Sequence, residues 1–269
     1  MEWRNLYRGL LMGITDLIPG VSGGTVAFLL GIYDRLLHAI SGFFSRNWKK
    51  HIGFLFPLVI GIGAALLLFS SLIDYLLDNH FEPTQFFFMG LIIGVIPFIM
   101  KQADIKRNFR LNHFITMLIF AVLLASLDFV KPDTASVPIT MLSLPTVMGL
   151  FFSGWAASMA MLLPGISGSF ILLILGVHTT AINALSTLNL PIIAVIGSGV
   201  VVGFIVSSKG IRYILDRYPA MTYAMIIGLI LGSIFVVFPG MPGGNNIVIS
   251  VAMFIIGLLF SFLFSKIGE

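Results

Sequence analysis

The chain has 269 residues, of which 58% are hydrophobic and 10% charged, and its mean hydropathy is +1.06. A water-exposed globular domain carries about a quarter charged residues, so this composition excludes one and calls for an exterior that largely meets lipid. The formal net charge of +4 implies no nucleic-acid partner, because membrane proteins gather Lys and Arg in cytoplasmic loops for topological reasons, and the lack of cysteine excludes disulfides and thiolate metal sites.

In chain order, the first predicted element is a helical hairpin from Leu6 to Ile40, broken at Leu17-Ile18-Pro19-Gly20-Val21-Ser22-Gly23-Gly24. Asp16 interrupts the apolar run and no small-residue cleavage site follows, so this segment reads as part of the mature fold rather than a secretory signal. About 20 apolar residues cross the hydrocarbon layer, and spans are predicted near 52–73, 84–100 and 112–130. A second hairpin follows over Ile139 to Leu185, broken at Leu162-Leu163-Pro164-Gly165-Ile166-Ser167-Gly168-Ser169, and then spans near 191–208, 221–238 and 247–265. Ile139 to Leu163 is long enough for a complete span, so re-entrant arms and fully crossing arms both stay open.

The two broken motifs are copies of one another, and Gly31 after the first recurs as Gly176 after the second. Further along, Asp74 to Ile96 aligns without gaps on Arg212 to Ile234, with Tyr75/Tyr213, Asp78/Asp216, Thr84/Thr222 and Gly90/Gly228 coinciding. Charge assigns orientation. Arg4 and Arg8, then Arg46, Lys49 and Lys50, then Lys101, Lys106, Arg107 and Arg110 mark cytoplasmic segments in the first copy, and their counterparts in the second are uncharged. The reverse holds where Ser71, Asp74 and Asn79 become Lys209, Arg212 and Arg217. The expected fold is all-α, a single polytopic membrane domain over 1–269. It is built from two inverted-topology repeats, 1–135 and 136–269, each a broken or re-entrant hairpin plus three transmembrane helices, with both termini cytoplasmic.

Within hydrocarbon every backbone amide needs a partner, so a Pro-Gly break is tolerated where protein or a polar cavity surrounds it. Matched breaks in an inverted repeat mark a transporter's midplane site. Pro19 stops the first arm, Gly20, Gly23 and Gly24 allow a tight turn, and Ser22 or Thr25 can cap the next helix. The amides of that new N-terminus favour an anion, a phosphate in particular, and Pro164, Gly165, Ser167, Gly168 and Ser169 would do the same from the opposite side. A plainer alternative is that these glycines permit close packing. That reading is preferred for the pairs Gly90/Gly94, Gly228/Gly232, Gly61/Ala65 and Gly199/Gly203. Asp16 is an intramembrane carboxylate that either carries a coupled proton or pairs with Arg8 or Arg35. Arg8 and Arg35 are candidate head-group contacts, with topological anchoring as their alternative, and His178 reads as interfacial.

The run Gly13-Ile14-Thr15-Asp16-Leu17-Ile18-Pro19-Gly20-Val21-Ser22-Gly23-Gly24-Thr25, with Leu30-Gly31-Ile32-Tyr33 after it, resembles the bacterial undecaprenyl-phosphate translocase family of the PopT type, and Leu162 to Gly176 looks like that family's later motif. The resemblance covers essentially the whole chain. It implies a flippase in the bacterial cytoplasmic membrane that returns a polyprenyl-phosphate carrier lipid from the outer to the inner leaflet for cell-wall biogenesis, without a cofactor. It places substrate contacts on Pro19, Gly20, Ser22, Gly23, Gly24 and Thr25 and on Pro164, Gly165, Ser167, Gly168 and Ser169. The residues by themselves support an anionic, membrane-soluble substrate.

A small-anion transporter or channel would use the same opposed helix ends. An intramembrane hydrolase is the other alternative, since both breaks contain Gly-x-Ser-Gly, but a nucleophilic serine needs a base in hydrogen-bond reach. His178 lies roughly 16 Å beyond Ser167 along a helix, and His38, His51, His80 and His113 fall near loops or helix ends.

Overall fold

A computed structural model describes residues 1–18, 21–43, 45, 48–130, 138–139, 141–243 and 246–268, and among these the regular structure is entirely helical. The helices are α1 (Arg4–Asp16), α2 (Gly23–Leu29), α3 (Tyr33–Ser41), α4 (Trp48–Asn79), α5 (Phe81–Gln102), α6 (Ile105–Asn108), α7 (Leu111–Ser126), α8 (Leu144–Leu162), α9 (Gly168–Ile174), α10 (His178–Ser186), α11 (Leu190–Arg217), α12 (Pro219–Val237) and α13 (Asn246–Gly268). A short 3-10 turn, Leu127–Val130, extends α7.

Seven of these segments are long and apolar enough to cross a membrane: α4, α5, α7 with its 3-10 turn, α8, α11, α12 and α13. The predicted spans are present, and α4 and α11 run well past them. Both carry charged ends, Lys49 and Lys50 with Asp74 and Asp78 on α4, and Arg212, Asp216 and Arg217 on α11, so each helix continues into the aqueous boundary. The two hairpins have unequal first arms: α8 has 19 residues and passes as a span, whereas α1 has 13 and reaches about 20 Å. Beyond each break the chain makes a seven-residue helix and a nine-residue helix, α2 with α3 and α9 with α10, and α9 and α10 meet at a bend of 112°. Gly31 and Gly176 sit at these bends with φ of 65° and 68°, a left-handed conformation that other residues adopt at a cost.

Helix packing follows the small residues. α1 lies on α4 and α8 on α11, while α5 pairs with the late helix α13 and α7 with α12. A Cβ on Gly61 would collide with the Leu6 carbonyl, and one on Gly199 with that of Phe151. Gly90 and Gly228 press in the same way on the Phe254 and Met117 backbones. In lipid, association depends on such close backbone approach rather than on burying apolar surface from water, so these four glycines determine which helices pair. α2 ends up at the centre: all seven of its residues are buried, and it touches α1, α3, α5, α8 and α13.

Candidate transport site

The two breaks meet. Thr25 Oγ1 accepts the Gly165 backbone N–H at 3.0 Å, the Tyr33 hydroxyl donates to the Leu162 carbonyl at 2.9 Å, and the Ser22 hydroxyl makes a longer contact of 3.4 Å with the Leu163 carbonyl. Ser22, Thr25, Ser167, Gly23, Gly24, Pro164, Gly165 and Gly168 are all buried at this junction. Pro19 and Gly20 lie outside the described residues. Gly165 needs its φ of +88°, and an added Cβ there would press on the backbone of Leu229 and Ile230. A Pro-Gly step is thus held where one chain segment threads between others, and cross-bonds supply partners that hydrocarbon cannot.

The two breaks differ in what their amides do. At the first, Gly23 N–H donates to Asp16 Oδ1 at 2.7 Å, Gly24 N–H to Ser22 Oγ at 3.2 Å and Thr25 N–H to the Ser22 carbonyl. Ser22 is therefore the cap, and Thr25 serves the opposite break. The amides of Gly23, Gly24 and Thr25, expected to be free, are taken, the first because Asp16, one turn before the break, folds back onto the helix start as a built-in anion. At the second break Ser167 does not cap α9. Its hydroxyl shares a hydrogen bond of 2.8 Å with Ser169, and the amides of Gly168 and Ser169 take no acceptor among the described residues.

Two cavities flank the junction. One, of about 420 Å³, ends on Asp16, Gly23, Gly24, Met161 and Leu162 and runs out between α3, α4 and α11 along Leu36, Ile40, Leu55, Leu58, Phe204 and Ile205. Among the described residues Asp16 is its sole ionisable lining group. Val59 and Val201 border it and are 61% and 54% exposed, so this groove opens sideways onto the lipid-facing surface. The other cavity, of about 480 Å³, lies at the α4–α5 turn and is lined by Gln85, Ser169, Leu173, His178 and Asp128 with apolar neighbours from α12.

A side-opening apolar groove that ends on joined helix breaks suits an amphiphile, and comparison with known proteins is specific. The family model described as undecaprenyl phosphate translocase-like matches residues 12–251. This chain belongs to that family. It is 43% identical over 276 residues to a protein of Staphylococcus aureus (strain NCTC 8325 / PS 47) named polyprenyl-phosphate transporter, covering 99% of this chain and 97% of the relative. It is 36% identical over 253 residues to a Vibrio cholerae serotype O1 protein of the same name, covering 89% and 79%. No solved structure matches.

In this translocase-like chain one of the two readings of Asp16, pairing with Arg8 or Arg35, does not hold. Neither Arg8 nor Arg35 reaches Asp16. Arg8 donates to Asn5 Oδ1 at 2.9 Å, and Arg35 pairs with Glu2 while its guanidinium lies 4.8 Å above the Phe54 ring centre. Both stand near the start of the chain, at the end of α4 that carries Lys49 and Lys50. Sequence reasoning missed Tyr33 as a bond across the breaks, Gln85 as a cavity residue, and the groove itself. Tyr33 carried a signal, since it closes the Leu30-Gly31-Ile32-Tyr33 run that follows the first motif, whereas the groove has none, because its walls come from helices far apart in sequence.

Proposed function

We propose that this chain transports a polyprenyl-phosphate carrier lipid across the bacterial cytoplasmic membrane, returning it from the outer to the inner leaflet, with the phosphate passing the helix breaks while the tail stays in the lipid-facing groove. The observation that carries this reading is the groove of about 420 Å³, apolar, open sideways, and closed at its inner end by the joined breaks. A prenyl chain needs continuous contact with lipid or apolar wall, and a head group needs polar partners at depth. Pro164, Gly165, Ser167, Gly168 and Ser169 offer such partners at the second break. Pro19, Gly20, Ser22, Gly23, Gly24 and Thr25 shape the first, where Asp16 already occupies an amide. The two hairpin-plus-span units, 1–135 and 136–269, act as inverted repeats that move against each other. Basic residues at Arg4, Arg8, Lys49, Lys50, Lys101, Lys106, Arg107 and Arg110 put both termini in the cytoplasm.

A hydrolase fits less well. The Ser22 hydroxyl engages Gly24 N–H and the Leu163 carbonyl, and that of Ser167 engages Ser169, so neither is activated by a histidine. A small soluble anion has no use for the apolar groove.

The test is reconstitution in liposomes with a labelled polyprenyl phosphate in the outer leaflet. Lipid flipping without comparable flux of inorganic phosphate is expected, and S22L together with S167L should abolish it while leaving membrane insertion intact. Normal flipping by that double variant, or phosphate flux without flipping, would overturn the reading.

A further inference from the structure

We infer that the cavity bounded by Gln85, Ser169 and His178 seats the phosphate of a prenyl monophosphate, an assignment that rests on the carrier-lipid reading above. Gln85 is 6% exposed, faces the cavity of about 480 Å³, and its Oε1 has no hydrogen-bond partner among the described residues. A buried polar atom in that state destabilises a protein, so its presence at a cavity wall points to a partner that arrives from outside the chain. Among the described residues the His178 ring likewise has no hydrogen bond.

The matched place in the other half of the sequence gives the second observation. By the motif recurrence and the gapless alignment, Phe28, Tyr33 and Tyr223 correspond to Leu173, His178 and Gln85. The first three form a plug: the Phe28 and Tyr33 rings stack at 3.9 Å, Tyr223 meets Phe28 edge-on at 6.3 Å, and α3 packs along α11. A smaller recess of about 280 Å³ remains outside it. The last three are not a plug. All of them line the larger cavity, and α10 makes at most a glancing contact with α4. Replacing two phenols and a phenyl ring by an amide, an imidazole and a leucine leaves room and hydrogen-bonding capacity at one end of α4, roughly 40 Å from Lys50 at the other.

The chemistry suits a monophosphate. Gln85 Nε2, the Ser169 hydroxyl and a His178 ring N–H donate to phosphate oxygens, and Gln85 Oε1 accepts the one P–OH that a singly ionised monoester keeps. Asp128, which has a partner of its own, stands in the same wall; its carboxylate opposes any anionic head, and the doubly ionised form more than the singly ionised one, so the monoanion is the form the cavity favours. Among the described residues the lining holds no Lys or Arg, so the donors they supply to the head are neutral and allow it to leave again, as transport requires.

Binding of farnesyl phosphate and of farnesol to the protein in neutral-lipid nanodiscs tests this. The wild type is expected to prefer the phosphate. Q85E, which keeps the side chain's shape and adds a negative charge, and H178F should each lose roughly tenfold or more of phosphate affinity while farnesol binding is unchanged. If both variants bind farnesyl phosphate as the wild type does, this site is wrong and the carrier-lipid reading stands. If the wild type shows no preference for phosphate over alcohol, both fall. Because the chain has no native cysteine, L173C provides a check that leaves the polar groups intact. Farnesyl phosphate should slow its labelling by a water-soluble maleimide, and unchanged labelling would overturn the site.

Discussion

Thr25 and Asp16 each hold a backbone amide that hydrocarbon would leave bare. Thr25 Oγ1 is the acceptor for Gly165 N–H, and both groups are buried. T25V keeps the branched shape and removes the acceptor, so it should lower stability by about 1–3 kcal/mol, while T25S, which retains the hydroxyl, should lose less. Thermal unfolding in detergent compares the two. Asp16 Oδ1 accepts Gly23 N–H, a bond that Asn can keep without the charge. D16N should therefore unfold near the wild-type temperature and D16A well below it. If D16N unfolds as early as D16A, the carboxylate charge rather than the bond holds the first break. This bond was not legible in the sequence, where Asp16 read either as a proton carrier or as a partner of Arg8 or Arg35, because the fold-back of a side chain onto an amide seven residues later depends on the turn at the break.

Helix pairing is where the sequence was most informative. The pairs Gly61/Ala65, Gly90/Gly94, Gly199/Gly203 and Gly228/Gly232 were expected to be helix contacts, and a Cβ on each of the eight positions' glycines would meet a neighbouring helix. What spacing could not say is which helix each would meet. The pairing of α5 with α13 and of α7 with α12 joins early and late parts of the chain, and period alone carries no partner identity. Gly61 and Gly63 on α4 separate packing from propensity. A Cβ on Gly61 strikes the Leu6 carbonyl, whereas Gly63 has nothing within 4 Å. G61A should destabilise by about 1–3 kcal/mol through overpacking. G63A, on the same helix, should be neutral or stabilising by up to about 1 kcal/mol. Equal unfolding temperatures for the two variants would show that α1 does not rest on α4 as described.

At the scale of the molecule, the groove and the polar cavity occupy opposite sides of the joined breaks, and under the proposed function a lipid that changes leaflet uses both. Two Pro-Gly-x-Ser-Gly breaks were readable as a shared centre, yet the groove was not, since α3, α4 and α11 contribute to it from residues scattered between Leu36 and Ile205. Its rim offers a test that spares the core. Val59 and Val201 are more than half exposed, so V59W and V201W add bulk at the lateral mouth without displacing packed neighbours. If the tail of the substrate lies in the groove, each variant should slow flipping of a long-chain polyprenyl phosphate by roughly tenfold, the effect of about 1.4 kcal/mol on the barrier. Farnesyl phosphate, whose short tail need not extend to the rim, should be affected less. The contrast is measured by running both lipids in the same proteoliposomes. Equal slowing of both would mean that the tryptophans disturb the helices, and no slowing of either would place the tail wholly in the bilayer, with the groove serving only as a joint between α4 and α11.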